Sequence, residues 1–552
     1  MRVTLNLDTN PGPLSLDDEQ LQGLFADLQG NILNGHGRDQ AIHLFLRFNR
    51  ARITDVKTLL AGLAKSGYFT SAKAQLEASR AFKISGEDGG LFAHLALSGN
   101  GYRALALTPP QGAALRKRPP TLNLGSPPAP VTFYERDVFE QGMRARNLLL
   151  QDPPVGDWEE PFQQDIDALI LIADDSNIDL INAEKHLRQL FETGSAAPLA
   201  TIVNIERGFG LRRKFYDGEA NPKFGENVEH FGYVDGRSQP ALLNTQLEED
   251  LKRDGNKVWN PVAPPSLVLV KDPNGGEDGY GSFLVFRKLE QDVYGFKQAQ
   301  RDLANELGCP VALAGALAVG RFEDGTPVAL QPGEDSEPAV PNDFDYSGDP
   351  GGRKCPFHAH IRKTNPRLES VFAGGPFAQT NEEELGHRIA RRGIPYGGGL
   401  SDFADLDGLP RRGVGLLFMC YQSDIWEQFE FQQRFWANNN GFVQPALGDP
   451  ARPAPDFAFG TGIDSIIGQQ RPLNVDPITG FARPPLNWSA EWGKPPTLTT
   501  QSIAQFVTLK GGEYFFSPSL SSLRALAASS APVPPPEDVK QPHTDSYSVK
   551  LS

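Results

Sequence analysis

His43–Phe48, HLFLRF, is a short apolar run of the kind that forms a buried strand, and Asp55–Leu63, DVKTLLAGL, follows it with apolar residues at helical spacing. The same couplet returns three times. Ala168–Ala173 (ALILIA) precedes Ala183–Phe191, and Ser282–Phe286 (SFLVF) precedes Val293–Leu307. Gly415–Tyr421 (GLLFMCY) precedes a segment in which Ile425, Phe429 and Trp436 return to one helical face. Two couplets therefore fall in each half of the chain. That order predicts an α+β fold of two similar halves, each an antiparallel sheet with helices packed on one side. Gly and Pro, 56 and 46 of the 552 residues, cut the chain into many short elements, and no short-period repeat argues for a solenoid. The Gly- and charge-rich region Asn204–Pro240 separates the halves, and Gln331–Lys354 is a second loop-rich stretch. The boundaries expected are 1–245, 246–525 and a tail, 526–552. From Ala531 that tail (APVPPPEDVKQPHTDSYSVKLS) is Pro-rich and polar, and reads as disordered.

Charge and composition exclude several classes. With 53 Lys+Arg against 68 Asp+Glu, the formal net charge is −15, which argues against a general nucleic-acid binder. Cys309, Cys355 and Cys420 are three scattered thiols with no CxxC, so neither a disulfide framework nor a zinc ribbon is expected. The apolar run Val311–Val319 is far shorter than the ~20 residues of a membrane span. The start, MRVTLNLDTNPGPLSLDDEQ, shows no basic segment followed by an apolar block, so a cytoplasmic protein without membrane partners is the default expectation.

Most of the nine histidines have bland settings: His36, His186 and His543 sit among polar neighbours, and His43 and His94 in apolar, strand-like context. His358 and His360 differ. They lie in CPFHAHIRKTNPR (Cys355–Arg367), and the stretch Arg353–Arg392 carries eight Arg or Lys against four Glu in an acidic chain. One reading is a metal site, with both imidazoles on one side of a strand at i, i+2. Divalent sites normally add carboxylate, further imidazole or thiolate ligands, whereas the near neighbours here are Arg and Lys, whose charge opposes a bound cation. A second reading is a haem pocket, one neutral imidazole on iron and arginines against the propionates. A third is a plain anion-binding site. Residue chemistry leaves the last two open.

A second motif, HFGYVDGRSQP (His230–Pro240), contains a GxxDG pattern at Gly232–Gly236; alone, an Asp before Gly is an ordinary turn. Taken in order with CPFHAHIRKTNPR, ARRGIPYG (Ala390–Gly397), GLLFMCYQSD (Gly415–Asp424) and the N-terminal DLQGNILNGHGR (Asp27–Arg38), it resembles the dye-decolourising peroxidase family, in its larger, fungal-type branch. The resemblance runs from about Gln22 to about Phe506. It implies two ferredoxin-like halves, with one haem b held mainly by the second. His360 matches the proximal iron ligand, with His358 an accessory. Asp235 matches the distal acid–base group, and Arg391, rather than Arg392, matches the distal arginine. The resemblance also places Arg362 at a haem propionate, Gly236 and Arg237 around the cofactor, and Leu416 and Phe418 on the distal wall. Asp464, in GIDSIIG, resembles the carboxylate that orients the proximal imidazole, although Leu447–Pro455 before it looks like an insertion. Tyr396 resembles the family's radical-forming tyrosine, and Trp436 is a second candidate for electron transfer.

The chemistry implied is reduction of hydrogen peroxide. An aspartate remains ionised, and so basic, down to acidic pH, and can take a proton from one peroxide oxygen and return it to the other. A permanently cationic arginine stabilises the charge of the departing oxygen. Aromatic dyes and phenols, too bulky for a tight pocket, would give up electrons through oxidisable side chains. The competing readings are a haem- or iron-handling protein without turnover, and an interaction or cargo protein recruited through its SYSVKLS end.

Overall fold

The computed structural model describes residues 10–112, 138–192, 197–215, 225–277, 279–334, 342–372, 379–443, 461–469, 486–500, 503 and 505–527. The Pro-rich tail, His543 and Leu447–Pro455 lie outside them.

The first couplets form β1 (Gln40–Phe48), α1 (Ile53–Lys65), β2 (Phe92–Ser98), β3 (Ala168–Asp174), α2 (Asn177–Glu192) and β4 (Ala200–Phe209). The second set comprises β5 (Tyr280–Gln291), α3 (Val293–Leu307), α4 (Val311–Val319), α5 (His360–Thr364), β6 (Ile394–Tyr396), β7 (Gly415–Gln422) and β8 (Val507–Ser517). Sequence and structure agree on the four apolar strands and the helices after the first three. β2, β4, β6 and β8 are additional. β4 carries Glu206 and Arg207 and extends into the region read as a connector; β8 is broken by a bulge between Leu509 and Gly511, so neither shows a clean apolar run. Local chemistry sets the ends of α3: the Asp292 side chain accepts the Gly295 N–H at 2.8 Å, and Gly308 ends the helix at φ +65°. After β7 the expected helix is π-helical, over Trp426–Glu430 and Gln432–Ala437.

All the ladders joining these strands are antiparallel. The first quartet runs β2-β3-β1-β4 and the second β6-β7-β5-β8, which is the same permutation of chain order. The two expected sheets are nevertheless one. β8 meets β2 through Phe515↔Ser98 and Phe516↔Leu97, and β6 meets β4 through Tyr396↔Gly208. Pairing edge to edge satisfies backbone groups that two separate sheets would leave bare. The interior between the quartets is packed by Phe45 of β1, which lies 4.9 Å from the Phe286 ring of β5 and 6.4 Å from Phe515 of β8. With period 2, Arg287, Leu289 and Gln291 then point to the opposite, outer face of the second quartet. α4 is a buried core helix, and among the described residues no single helix is long and apolar enough to cross a membrane. The three cysteines are free thiols.

Candidate active site

The outer face of β5 and β7 floors a cavity. Leu289 pairs with Leu416 and Arg287 with Phe418, and all four side chains line it together with His360, Asp235 and Arg391.

The strand geometry expected for His358 and His360 is not observed. Ala359 caps α5, His360 is its first residue, and His358 lies in the turn before it. The two imidazoles part: His358 donates from Nε2 to the Asn487 carbonyl at 3.1 Å and packs edge-on to Trp488, whereas the His360 ring lines the cavity. Among the described residues, no group of three or more His, Cys, Asp or Glu stands ready to hold a bare metal ion. His360 Nδ1 lies 2.9 Å from Asp464 Oδ2. Asp464 is fully buried, and its Oδ1 accepts the N–H groups of Ile466 and Ile467 at 2.8 and 2.9 Å. Burial pushes this carboxyl up, but His360 and the two amides outweigh it and hold Asp464 below the usual carboxylate range. An ionised carboxylate only accepts, so Nδ1 carries a proton, and in the neutral imidazole the lone pair is then on Nε2.

Asp235 and Arg391, 156 positions apart in the chain, meet with Nη1–Oδ1 at 3.0 Å, each side chain about a third exposed. The Arg391 Nη2 donates to the Arg237 carbonyl at 2.6 Å, and its backbone N–H donates to Gln239 Oε1 at 3.1 Å. Gly236, at φ +84°, turns the chain directly after Asp235. Arg392 points elsewhere. Its guanidinium is spent on the carbonyls of Asn31, Ile32 and Arg391, which clamps the N-terminal DLQGNILNGH segment behind the site.

Arg362 corrects the expectation. It is wholly buried, pairs with Asp349 at 2.9 Å and with Glu369, and does not line the cavity. Arg321 and Arg367 do, and so does Arg237. Arg321 donates to Gly325 O, Ser238 Oγ and Asn342 Oδ1; Arg367 donates to Ser238 Oγ and to the side chain and carbonyl of Asn342. Neither meets a carboxylate among the described residues. Burial drives Arg321 down to about 9, with Arg367 beside it, and Arg367 down to about 10. Two buried cations that form no ion pair among the described residues, with Asp254 acting on them only from farther off, suit an anionic ligand. Arg367 ends the quoted AHIRKTNPR segment and adopts φ +52°, a reversal the sequence does not announce. Arg321 lies outside every motif.

One imidazole with a free Nε2, apolar walls and unpaired buried guanidiniums fit an iron porphyrin with its propionates. His360 would ligate the iron, and Arg321 and Arg367 would meet the carboxylates. The electron-transfer candidates are enclosed. Tyr396 is 7% exposed, its hydroxyl has no hydrogen-bond partner among the described residues, and Lys288 Nζ sits 5.0 Å over its ring while bonding Glu159 and Glu206. Burial raises its phenol far above the ordinary value. Trp436 is 2% exposed, stacks on Phe442 at 5.3 Å and meets His387 edge-on.

No family model matches the chain. Over 91% of its length it is 40% identical to the multifunctional dye peroxidase DyP2 of Amycolatopsis sp. (strain ATCC 39116 / 75iv2), covering 95% of that protein. It is 30% identical to the dye-decolorizing peroxidase msp1 of Mycetinis scorodonius, over 91% of this chain and 87% of that one. Among solved structures, the DyP-type peroxidase AnaPX of Anabaena sp. aligns with a TM-score of 0.77 at 36% identity, over 95% of this chain and all of that one. The likeness thus reaches both fungal and bacterial enzymes.

Proposed function

The chain belongs to the dye-decolourising peroxidase family, and from that premise we propose which residues carry its activity. The protein is a dye-decolourising haem peroxidase that acts on hydrogen peroxide. His360 would hold a haem, which would supply the redox chemistry needed for two-electron reduction of peroxide and one-electron oxidation of donors.

The residues of the chain arrange the protons. Asp235 takes the proton from one peroxide oxygen and returns it to the other as the O–O bond breaks, so that the second oxygen departs as water. Arg391 stabilises negative charge on that leaving oxygen and, through its 3.0 Å contact, holds the Asp235 carboxylate in place. Leu416 and Phe418 exclude water and bulky molecules from the reacting atoms. Asp464 keeps the His360 proton on Nδ1 and increases the basicity of Nε2. Arg321, Arg367 and Arg237 take the propionate end. We read the two strand quartets as ferredoxin-like halves, 1–245 and 246–525, with haem on the outer face of the second. Dyes and phenols serve as donors, Tyr396 and Trp436 being the side chains proposed to relay their electrons outward.

The observation that carries this reading is the meeting, in one cavity, of the Asp235–Arg391 pair with an imidazole whose Nδ1 is tied to a buried carboxylate. The test is the holoenzyme with Asp235→Asn. Stopped-flow mixing with peroxide should show a rate lower by about 10² or more, with haem retained. A wild-type rate and an unchanged pH profile would overturn the acid–base role. His360→Ala that kept a full Soret band would overturn the ligand assignment.

A further inference from the structure

The hairpin that delivers Asp235 is closed by a carboxylate the peroxide chemistry does not use. Asp235 N–H donates to the Asn227 carbonyl at 2.9 Å, and Val228 and Val234 form an antiparallel bridge. The turn is finished by Glu229 N–H to Tyr233 O at 3.1 Å and Gly232 N–H to Glu229 O at 2.8 Å. Asp235 therefore sits at the foot of a hairpin whose tip is Glu229–Tyr233.

The Glu229 side chain folds back over that tip. Oε2 accepts the Phe231 N–H at 2.8 Å and Oε1 accepts the Tyr233 N–H at 3.0 Å. A third donor, Gln291 Nε2, reaches Oε2 from β5, the strand that also presents Leu289 to the cavity. The tip is held from two further sides. Phe231 stacks on Phe296 of α3 at 4.2 Å, and a Cβ on Gly232, at φ +92°, would lie 2.5 Å from the Phe403 ring. Glu229 itself lines the cavity, and the nearby cation Lys297 bonds Glu323 instead. Enclosure pushes the Glu229 carboxyl up to about 7 despite its three donors. Three N–H groups converging on one side chain require a group that only accepts; an amide would turn its own NH2 toward one of them.

We propose that Glu229 is the positioning residue for Asp235: its carboxylate shapes the hairpin tip, ties it to Gln291 in the cavity floor, and so sets the Asp235 carboxylate against Arg391. The assignment rests on Asp235 being the proton-transfer group. A displacement of that carboxylate by about 1 Å costs on the order of 10² in rate, so the contribution of Glu229 is read through Asp235 rather than at the substrate.

The experiment is a double-mutant cycle on the haem-loaded protein with Glu229→Gln, Asp235→Asn and the pair combined. Two quantities are read: the second-order rate of peroxide reduction, and the rate of cyanide association, in which HCN must surrender its proton as it binds. Glu229→Gln is expected to lower both by about ten- to hundredfold and to displace the acid limb of the pH–rate profile, with haem retained. In the Asp235→Asn background its effect should fall below about twofold. An equal fold-loss in both backgrounds, or wild-type rates in Glu229→Gln alone, overturns the proposal while leaving the role of Asp235 intact. Wild-type rates in Asp235→Asn overturn both together. Should Glu229→Gln fail to fold, Gln291→Leu removes the tether, at a position that also lines the cavity, and leaves Glu229 its two backbone donors. It is then expected to slow both reactions and to lose that effect in the Asp235→Asn background, and the opposite result counts against the proposal in the same way.

Discussion

Replacing Asp464 by Asn tests the proximal side of the site with almost no change of shape. Asp464 Oδ1 accepts two backbone amides, from Ile466 and Ile467, at 2.8 and 2.9 Å. The introduced carboxamide would keep its carbonyl oxygen toward those two donors, because reversing it would oppose N–H to N–H twice. Its NH2 then replaces Oδ2 and faces His360 Nδ1, at the 2.9 Å now occupied by a hydrogen bond. Two donors cannot share that line. Either the contact is lost or the imidazole moves its proton to Nε2, which removes the lone pair proposed to hold iron. The interaction at stake is a hydrogen bond to a buried, ionised acceptor, worth ~1.5–3 kcal/mol. Converted at ~1.4 kcal/mol per decade, that is a roughly ten- to hundredfold loss of haem affinity. The assay is transfer of haem from the holoenzyme to an excess of scavenging apoprotein, followed at the Soret maximum. Asp464→Ala is the comparison: it leaves the Nδ1 proton free to find water, and should lose less affinity than Asp464→Asn. If Asp464→Asn retains haem as tightly as the wild type and its ligand-field spectrum is unchanged, the reasoning about tautomer control is wrong.

Arg362 and Arg367 should separate stability from cofactor binding. Arg362→Met strands Asp349 and Glu369 in the interior and should cost about 3–5 kcal/mol in chemical denaturation, whereas Arg367→Met, which breaks no ion pair, should cost less but release haem faster; the reverse order would refute the assignment of the propionate end. His36, His43 and His94 are buried, and burial pulls them down to about 3, 4 and 3. A base depressed in the fold loses stability as pH falls below its unfolded value of ~6.5, so His94→Gln should flatten the decline in unfolding free energy from pH 7 to 5 by about 2 kcal/mol, and an unchanged decline would contradict a neutral buried His94. Tyr396→Phe deletes a hydroxyl that has no partner among the described residues, so it should leave thermal stability equal or higher, spare small donors and slow large dyes; equal losses on both donor classes would exclude a relay through this ring. Trp436→Phe, measured with the same two donor classes, shows whether that enclosed indole contributes to the route.

Much of the fold could be read in advance because β1, β3, β5 and β7 each contain a short apolar run, although β5 continues past Phe286 into the charged stretch RKLEQ. The partner strands were harder to read. β4 and β8 carry charge and a bulge, and β6 is three residues long; each is held by its neighbours rather than by its own composition. The closure of two sheets into one was illegible for the same reason, since Tyr396↔Gly208 and Phe515↔Ser98 are single seams between distant parts of the chain.

The candidate site divides along the same line. Residue chemistry and local periodicity alone determined that an imidazole sits within a basic stretch of an acidic chain, that HFGYVDG carries an acid before a glycine, and that four strand–helix couplets point to an α+β fold. Which arginine faces the cavity was decided only by tertiary structure. Arg362 and Arg367 are five positions apart in one motif, yet helix α5 buries the first against Asp349 and Glu369, while the left-handed turn at Arg367 sends the second to the cavity. The contacts Asp235–Arg391 and His360–Asp464 span 156 and 104 positions, and Glu229 acts on a loop that is itself pinned by β5. The direction of a side chain depends on the surface its element is packed against, and that surface is contributed by residues far away in the chain. Types and local periods are written in the sequence; pairing across those distances exists only once the chain has folded.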